Sequence, residues 1–199
     1  MSKKFARITS PLGTAVYPRL NAPDTKFDAD GVYSVELELN PQDKTAAAFI
    51  ADLTKAADTA YAETCKEKGG KKLKRSGLPI KETDDSLVRI KFKLKAKAGN
   101  AEKSWAQKPV LFDAQGTALD APPNIGSGSQ IKVAFEVVPY FTAMVGAGIS
   151  LRMKAVQICE LREYTPGDNF DAYGFKATDG FTKQTEAPKA VTTEDESDF

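Results

Sequence analysis

Two stretches of strict alternation constrain the fold more than anything else in this chain. Ile131 to Val138 and Ile149 to Ile158 place apolar residues at every second position, and Pro139, Gly146 and Gly148 lie between them. A period of two belongs to a half-buried β-strand, and proline with glycines between two such runs marks a hairpin. On the first arm Ile131, Val133, Phe135 and Val137 share one face, and Lys132, Ala134 and Glu136 share the other. On the return arm Leu151 and Met153 oppose Arg152 and Lys154. One side can therefore close a core while the other offers basic groups. The connecting loop is expected to carry Tyr140, Phe141 and Met144, large apolar side chains where polar ones are usual.

The same period recurs upstream. From Val32 to Leu39, Tyr33, Val35, Leu37 and Leu39 face inward, and Ser34, Glu36 and Glu38 face outward. The stretch Phe5 to Leu20 contains Pro11, Gly13 and Pro18 and reads as one bent or interrupted strand. After Leu39 the period changes. Phe49, Leu53, Ala56, Ala57, Ala60 and Tyr61 recur at helical spacing, which predicts an amphipathic helix ending near Lys68, before Gly69 and Gly70. Asn40 is expected as its N-cap, with Pro41 at the first helical position and Asp43 in the first turn.

The segment VRIKFKLKAKA, Val88 to Ala98, is the most informative for function. Its odd partners Arg89, Lys91, Lys93, Lys95 and Lys97 fall on one face of a strand, opposite Val88, Ile90, Phe92 and Leu94. Five cations on one face repel each other unless something anionic lies over them. Lysines also guard exposed edge strands against aggregation, but five unbroken positions exceed that need. Contact with the phosphates of a nucleic acid is the reading we adopt. The run KEKGGKKLKR, residues 66–75, adds Lys71 and Lys72 in a glycine-containing loop that reads either as a solvated loop or as a mobile phosphate-gathering flap. Ser104 to Phe112 reads as a further strand carrying the only tryptophan, Trp105, near Lys108; a half-exposed ring there would suit stacking on a base.

Charge is unevenly spread. The net charge is +1, yet residues 66–108 hold 14 Lys or Arg against five Asp or Glu, while the terminal TTEDESDF holds four acids and no base. A basic middle and an acidic end point to a polyanionic partner and an interaction tail. The chain has no histidine. That removes the usual neutral-pH general base, the commonest zinc ligand and the histidine-activated nucleophiles; it counts against many enzymes, although carboxylate–magnesium or lysine chemistry survives it, and no catalytic residue, metal or cofactor is expected. Cys65 and Cys159 have no ligand-like spacing and are expected as reduced thiols. No signal-peptide or membrane-span pattern is present, so a soluble intracellular protein is expected.

Several short strands, one helix, a basic strand face and aromatics beside it predict a mainly β domain over residues 1–164. The expected architecture is an OB-fold-like, five-stranded, partly open barrel with one amphipathic helix. From residue 165 the periodicity dissolves, and residues 165–199 are expected to form a flexible linker and a disordered acidic tail. An unpaired strand has flexible phosphates and free base faces, and this chain supplies lysines for the first and rings for the second. The nucleic-acid-binding set predicted from sequence is Arg89, Lys91, Lys93, Lys95, Lys97, Trp105, Lys108, Tyr140, Phe141, Arg152, Lys154, Lys71 and Lys72.

The fragments SPLGTA (Ser10–Ala15), GVYSVELEL (Gly31–Leu39), GSGSQIKV (Gly126–Val133), VVPY (Val137–Tyr140), VGAGISLRM (Val145–Met153) and the terminal EDESDF occur in one order. Together they resemble the phage replication single-stranded DNA-binding proteins, which have an OB-fold and an acidic tail ending in Phe. The resemblance implies sequence-independent coating of single-stranded DNA during phage replication and recombination, and annealing of complementary strands. It also implies that a tail made here of Glu194, Asp195, Glu196, Asp198 and Phe199 binds replication partners such as DNA polymerase, and occupies the DNA groove when DNA is absent. The implied setting is the cytoplasm of an infected bacterium, with the protein a monomer or weak homo-oligomer. Three rivals remain at this point: a single-stranded RNA-binding OB protein, a structural phage protein whose basic face binds another protein, and a magnesium-dependent nuclease using Asp84 and Asp85. Neighbouring acids in a strand point to opposite faces, which counts against the last.

Overall fold

A computed structural model describes residues 5–70, 72–99 and 102–164. Lys71 and the tail residues Glu194, Asp195, Glu196, Asp198 and Phe199 lie outside the described residues. The elements in chain order are β1 (Arg7–Thr9), β2 (Gly13–Asp24), β3 (Val32–Leu39), α1 (Lys44–Glu67), β4 (Ile80–Glu82), β5 (Val88–Lys95), β6 (Lys97–Gly99), β7 (Ser104–Ala106), β8 (Val110–Phe112), β9 (Gln130–Thr142) and β10 (Gly146–Glu160).

Five of these strands make the barrel. Antiparallel pairs join β2 to β3, β3 to β5 and β9 to β10; β5 and β10 run parallel. The path β9–β2–β3–β5–β10 returns to β9, but two of its seams are thin. Only Gly13–Ile131 and Thr14–Gln130 pair across β2 and β9, and only Leu151–Phe92 and Arg152–Lys93 across β5 and β10. This is the partly open, OB-like barrel that the alternation predicts. Short strands extend it: β1 lies against β9, β8 against β10 and β4 against β5, while β6 and β7 form a separate ribbon.

Alternation fills the interior. Val35, Leu37, Ile90, Phe92, Ile131, Val133, Phe135 and Leu151 are all buried to within a few per cent of completely. Phe135 sits at the centre, 4.9 Å from the Phe92 ring and 6.0 Å, edge to face, from Phe49 of α1. The helix lies over the barrel through Leu53, Ala57 and Ala60, and the two small alanines let it approach closely. Its cap differs from the expectation. Asp43, not Asn40, is the N-cap and accepts from the Thr45 N–H at 2.9 Å; Asn40 instead accepts from the Gln42 N–H at 2.9 Å. Residues 40–43 therefore form a turn before the helix, in which Pro41 sets φ rather than opening the helix. The C-terminal end is as read: Gly69 and Gly70 adopt φ of 87° and 75°, and the Gly70 N–H returns to the Cys65 carbonyl.

Three other boundaries differ. The run Val88–Ala98 breaks at Ala96, whose N–H donates to the Gly31 carbonyl, so Lys97 belongs to the β6–β7 ribbon. Ser104–Phe112 likewise divides into β7 and β8. In the hairpin, Pro139, Tyr140 and Phe141 are not loop but continue β9, paired with Ile149, Gly148 and Ala147. Gly146 and Gly148 remove side chains from β10 at this point, so the pairing continues where proline and glycine suggested a turn.

The buried rings set a measurable expectation. Phe135→Ala removes the side chain between Phe92 and Phe49 and should cost about 3–5 kcal/mol of unfolding free energy, read by urea denaturation.

Candidate nucleic-acid interface

On β5 the residues Val88, Ile90, Phe92 and Leu94 are buried, and Lys91, Lys93 and Lys95 are exposed beside the half-buried Arg89. The row of cations is therefore real. What the single strand could not reveal is what stands next to it. The β3–β5 register sets Ser34 opposite Lys93, Glu36 opposite Lys91 and Glu38 opposite Arg89. Lys91 Nζ lies 3.1 Å from Glu36, and Arg89 Nε donates to Glu38 at 2.8 Å. The Arg89 pKa is raised above its ordinary value chiefly by that hydrogen bond to Glu38, with Tyr17 and Glu36 adding to it. At the end of β5, Lys95 reaches Asp28 at 3.4 Å, and beyond it Lys97 reaches Asp30 at 3.5 Å.

The parallel seam adds a second cation. Arg152 lies beside Lys93 in register and opposite Glu136, to which its Nε and Nη2 donate at 2.9 and 2.6 Å. Its guanidinium is also 5.5 Å from the Phe5 ring. Lys93 alone in the β5 row has no carboxylate within ion-pair distance among the described residues. The face is thus a ladder of exchangeable ion pairs around one uncompensated ammonium. Half-exposed pairs of this kind hold weakly, so an incoming polyanion can replace the carboxylates.

Five predicted residues, Lys91, Lys93, Lys95, Lys97 and Arg152, converge on one groove of about 900 Å³. Its other walls include Ser34, Val138 and Phe27, whose ring is 91% exposed. Phe27 was missed from sequence, because a lone aromatic in the polar segment DTKFDADG has no period to betray it. Arg89 continues the row just past the groove. Trp105 and Lys108 are elsewhere: with Lys97 and Tyr33 they line a second hollow of about 620 Å³. The β6–β7 ribbon separates the two, with Lys97, Ser104 and Gln107 bordering both. Trp105 is 54% exposed.

The remaining predicted residues that are described lie apart from the groove. Lys154 sits at a bulge between Met153 and Ala155. Tyr140 lies across Gly148, and its hydroxyl hydrogen-bonds Ser76 Oγ at 2.6 Å. Phe141 has the Lys68 ammonium 5.5 Å from its ring. The basic segment is less free than the flap reading supposed. Lys72 is exposed, but the chain after it is tied down: Leu73 accepts from the Tyr61 hydroxyl at 2.7 Å, and Lys74 and Ser76 exchange backbone hydrogen bonds with Ala147. Arg75 pairs with Asp58 and lies 5.4 Å from the Tyr61 ring. Hairpin tip, helix end and basic segment thereby form one ordered cluster. No cluster of three or more metal-ligating side chains occurs among the described residues, and none of their helices is long and apolar enough to cross a membrane.

The family model for the single-stranded DNA-binding protein of bacteriophage T7 matches residues 12–161. The single-stranded DNA-binding protein of Enterobacteria phage T3 is 29% identical over 193 residues, covering 86% of this chain and 83% of its own. That of Escherichia phage T7 is 28% identical over 190 residues, covering 85% and 81%. The crystal structure of gp2.5, the single-stranded DNA-binding protein encoded by bacteriophage T7, matches with a TM-score of 0.73 at 26% identity, over 91% of this chain and 100% of that one. A bacteriophage Enc34 protein solved with single-stranded DNA shares the fold, with a TM-score of 0.56 at 16% identity over 79% of this chain and 88% of its own.

The hairpin-tip cluster yields a prediction. A methyl at residue 148 would stand 2.8 Å from Ser76 Cβ and 3.0 Å from the Tyr140 hydroxyl oxygen. Gly148→Ala should therefore displace Tyr140 and cost about 1–3 kcal/mol, seen as a lowered Tm.

Proposed function

The chain belongs to the bacteriophage T7 single-stranded DNA-binding protein family, and we propose that its outer barrel face is where the strand runs. It binds single-stranded DNA without reading sequence. The observation that carries the placement is the groove in which Lys93 and Arg152 stand side by side below an exposed Phe27. Phosphates replace the carboxylates Asp28, Asp30 and Glu36 at their lysines, and bases stack on Phe27 and, across the ribbon, on Trp105. No base-edge reader is needed for either contact. Arg89, Lys108, Lys154, Lys72, Tyr140 and Phe141 would meet the strand where it leaves the groove. Binding of this kind is a non-catalytic task.

The protein acts in phage DNA replication and recombination, in the cytoplasm of the infected bacterium, and its coating of strands supports annealing. Residues 1–164 form the binding domain and 165–199 a linker and tail. Glu194, Asp195, Glu196, Asp198 and Phe199 recruit a replication protein such as the DNA polymerase. The acidic peptide imitates a phosphate chain and competes with the strand, so a bound strand releases the tail for its partner. The protein works as a monomer or weak homo-oligomer.

Two experiments test this. In titrations of oligo-dT followed by Trp105 fluorescence, binding should weaken with salt and outcompete a matched RNA. Lys93→Ala should lower the slope of log affinity against log salt by about 0.7, one phosphate contact on a single strand. Glu36→Gln, which frees Lys91, should raise the slope and tighten binding. Unchanged slopes in both folded variants would move the strand off this face. Separately, deleting residues 192–199 should tighten binding to oligo-dT and abolish capture of the polymerase; weaker DNA binding by the truncated protein would contradict the competition.

A further inference from the structure

One residue on this face sits in a costly conformation with no burial to offset it. The β2–β3 register breaks between Val16 and Arg19, and within the break Tyr17 has φ of +48°. That is the left-handed region, which a bulky L-residue rarely occupies. Among the described residues Ser86, in a tight turn, is the other non-glycine there. The Tyr17 side chain is 68% exposed. Ordinary packing therefore does not account for it, and such strain persists only where the surroundings fix it.

The surroundings do fix it. The Tyr17 N–H donates to Ser127 Oγ at 3.0 Å. On either side of that peg the same turn clasps Ala15: its N–H donates to the Ser129 carbonyl at 2.8 Å, and its carbonyl accepts from the Gly128 N–H at 2.9 Å. Ser129 is itself buried, donating to Gly126 and accepting from the Arg162 N–H. The sequence GSGS, residues 126–129, thus acts as a latch that holds the bulge. What the bulge displays is a ring beside the cation row, two strands over. Val16 pairs with Glu36, which pairs in turn with Lys91, and the phenol contributes to the raised Arg89 pKa.

We propose that Tyr17 is a base-stacking platform, held out by the Ser127 latch, that continues the strand's path beyond the groove on the far side of Glu36 from Lys91. This rests on the outer face being the strand's route. Its ligand is a flat unpaired nucleobase, with the adjoining phosphate at the neighbouring cations of the row. The strain is then the cost of display: the chain forgoes a relaxed backbone to keep an aromatic ring in water until a base covers it.

The test separates stacking from scaffolding. Tyr17→Gly and Tyr17→Asn both suit a left-handed backbone, so each should leave Tm unchanged or raise it by about 2–4 °C. Both should lower affinity for oligo-dT roughly tenfold, the scale of one lost stack. Against an abasic chain of equal length and charge they should bind as the parent protein does, and Tyr17→Phe should match the parent on both. Parent-like binding of oligo-dT by the Gly and Asn variants, equal losses on both chains, or a lower Tm in both would overturn the proposal. If the parent protein fails to prefer oligo-dT over duplex DNA, the function itself falls rather than this refinement.

Discussion

The alternation of β5 is the constraint on which the rest depends. This strand lies between β3 on one side and β10 on the other, so its register is read twice. Its inward residues, Val88 to Leu94, fill the middle of the barrel, and its outward residues carry the cations. A slip of one residue would exchange the two sets, burying three lysines and an arginine while wetting Phe92. Burial of unpaired charge is far costlier than any local gain could offset. The core and the cation face are consequently one decision made in one strand, and the outward row is as firmly placed as the hydrophobic centre.

A row of like charges would strain the sheet that carries it, and the structure resolves this with carboxylates on β3, on the loop before it and on β9. These acids stabilise the folded face without closing it, because the pairs are half exposed and weakly held. The same feature shapes the proposed mode of binding. On that route an incoming phosphate would exchange one partner for another instead of neutralising a bare charge, and among the described residues of the β5 row Lys93 alone offers an ammonium without a carboxylate partner. Exchange of this kind would favour a coat that forms along a strand and can be removed from it.

Much of the fold was legible because it is written with short periods. The β3, β5, β9 and β10 runs, the helix and its glycine stop are all local patterns that survive without knowledge of their neighbours. The failures share a cause, which is contact between distant residues. Ala96 looks like another alternating position until Gly31 takes its N–H. Pro139 to Phe141 look like a loop until glycines on the return arm make room for pairing. The cations looked isolated, although Glu36 and Glu38 were already seen to face outward on their own strand. Only the register shows that these two outward faces are one face. Five of the predicted basic residues meet in the groove, whereas Tyr140 and Phe141, chosen for being aromatic beside glycine, are tied to Ser76 and Lys68.

That last contrast separates two uses of an aromatic ring. Phe135 and Phe92 are fully buried and hold the barrel; Tyr140 and Phe141 lie between and hold the basic segment against the hairpin. Phe27, Trp105 and Tyr17 are more than half exposed. Exposed rings cost a soluble chain hydrophobic free energy and invite aggregation, so several of them around one charged face need a reason. Charge supplies it. The surrounding lysines and acids keep the face soluble when empty, and on the proposed route the phosphates that displaced those acids would bring their own bases to cover the rings. Electrostatic exchange and stacking would then not be two independent contributions on this surface. Each would remove the cost that the other leaves behind, with β5 setting the cations in a row and the β2 bulge, the segment before β3 and β7 placing the rings around it.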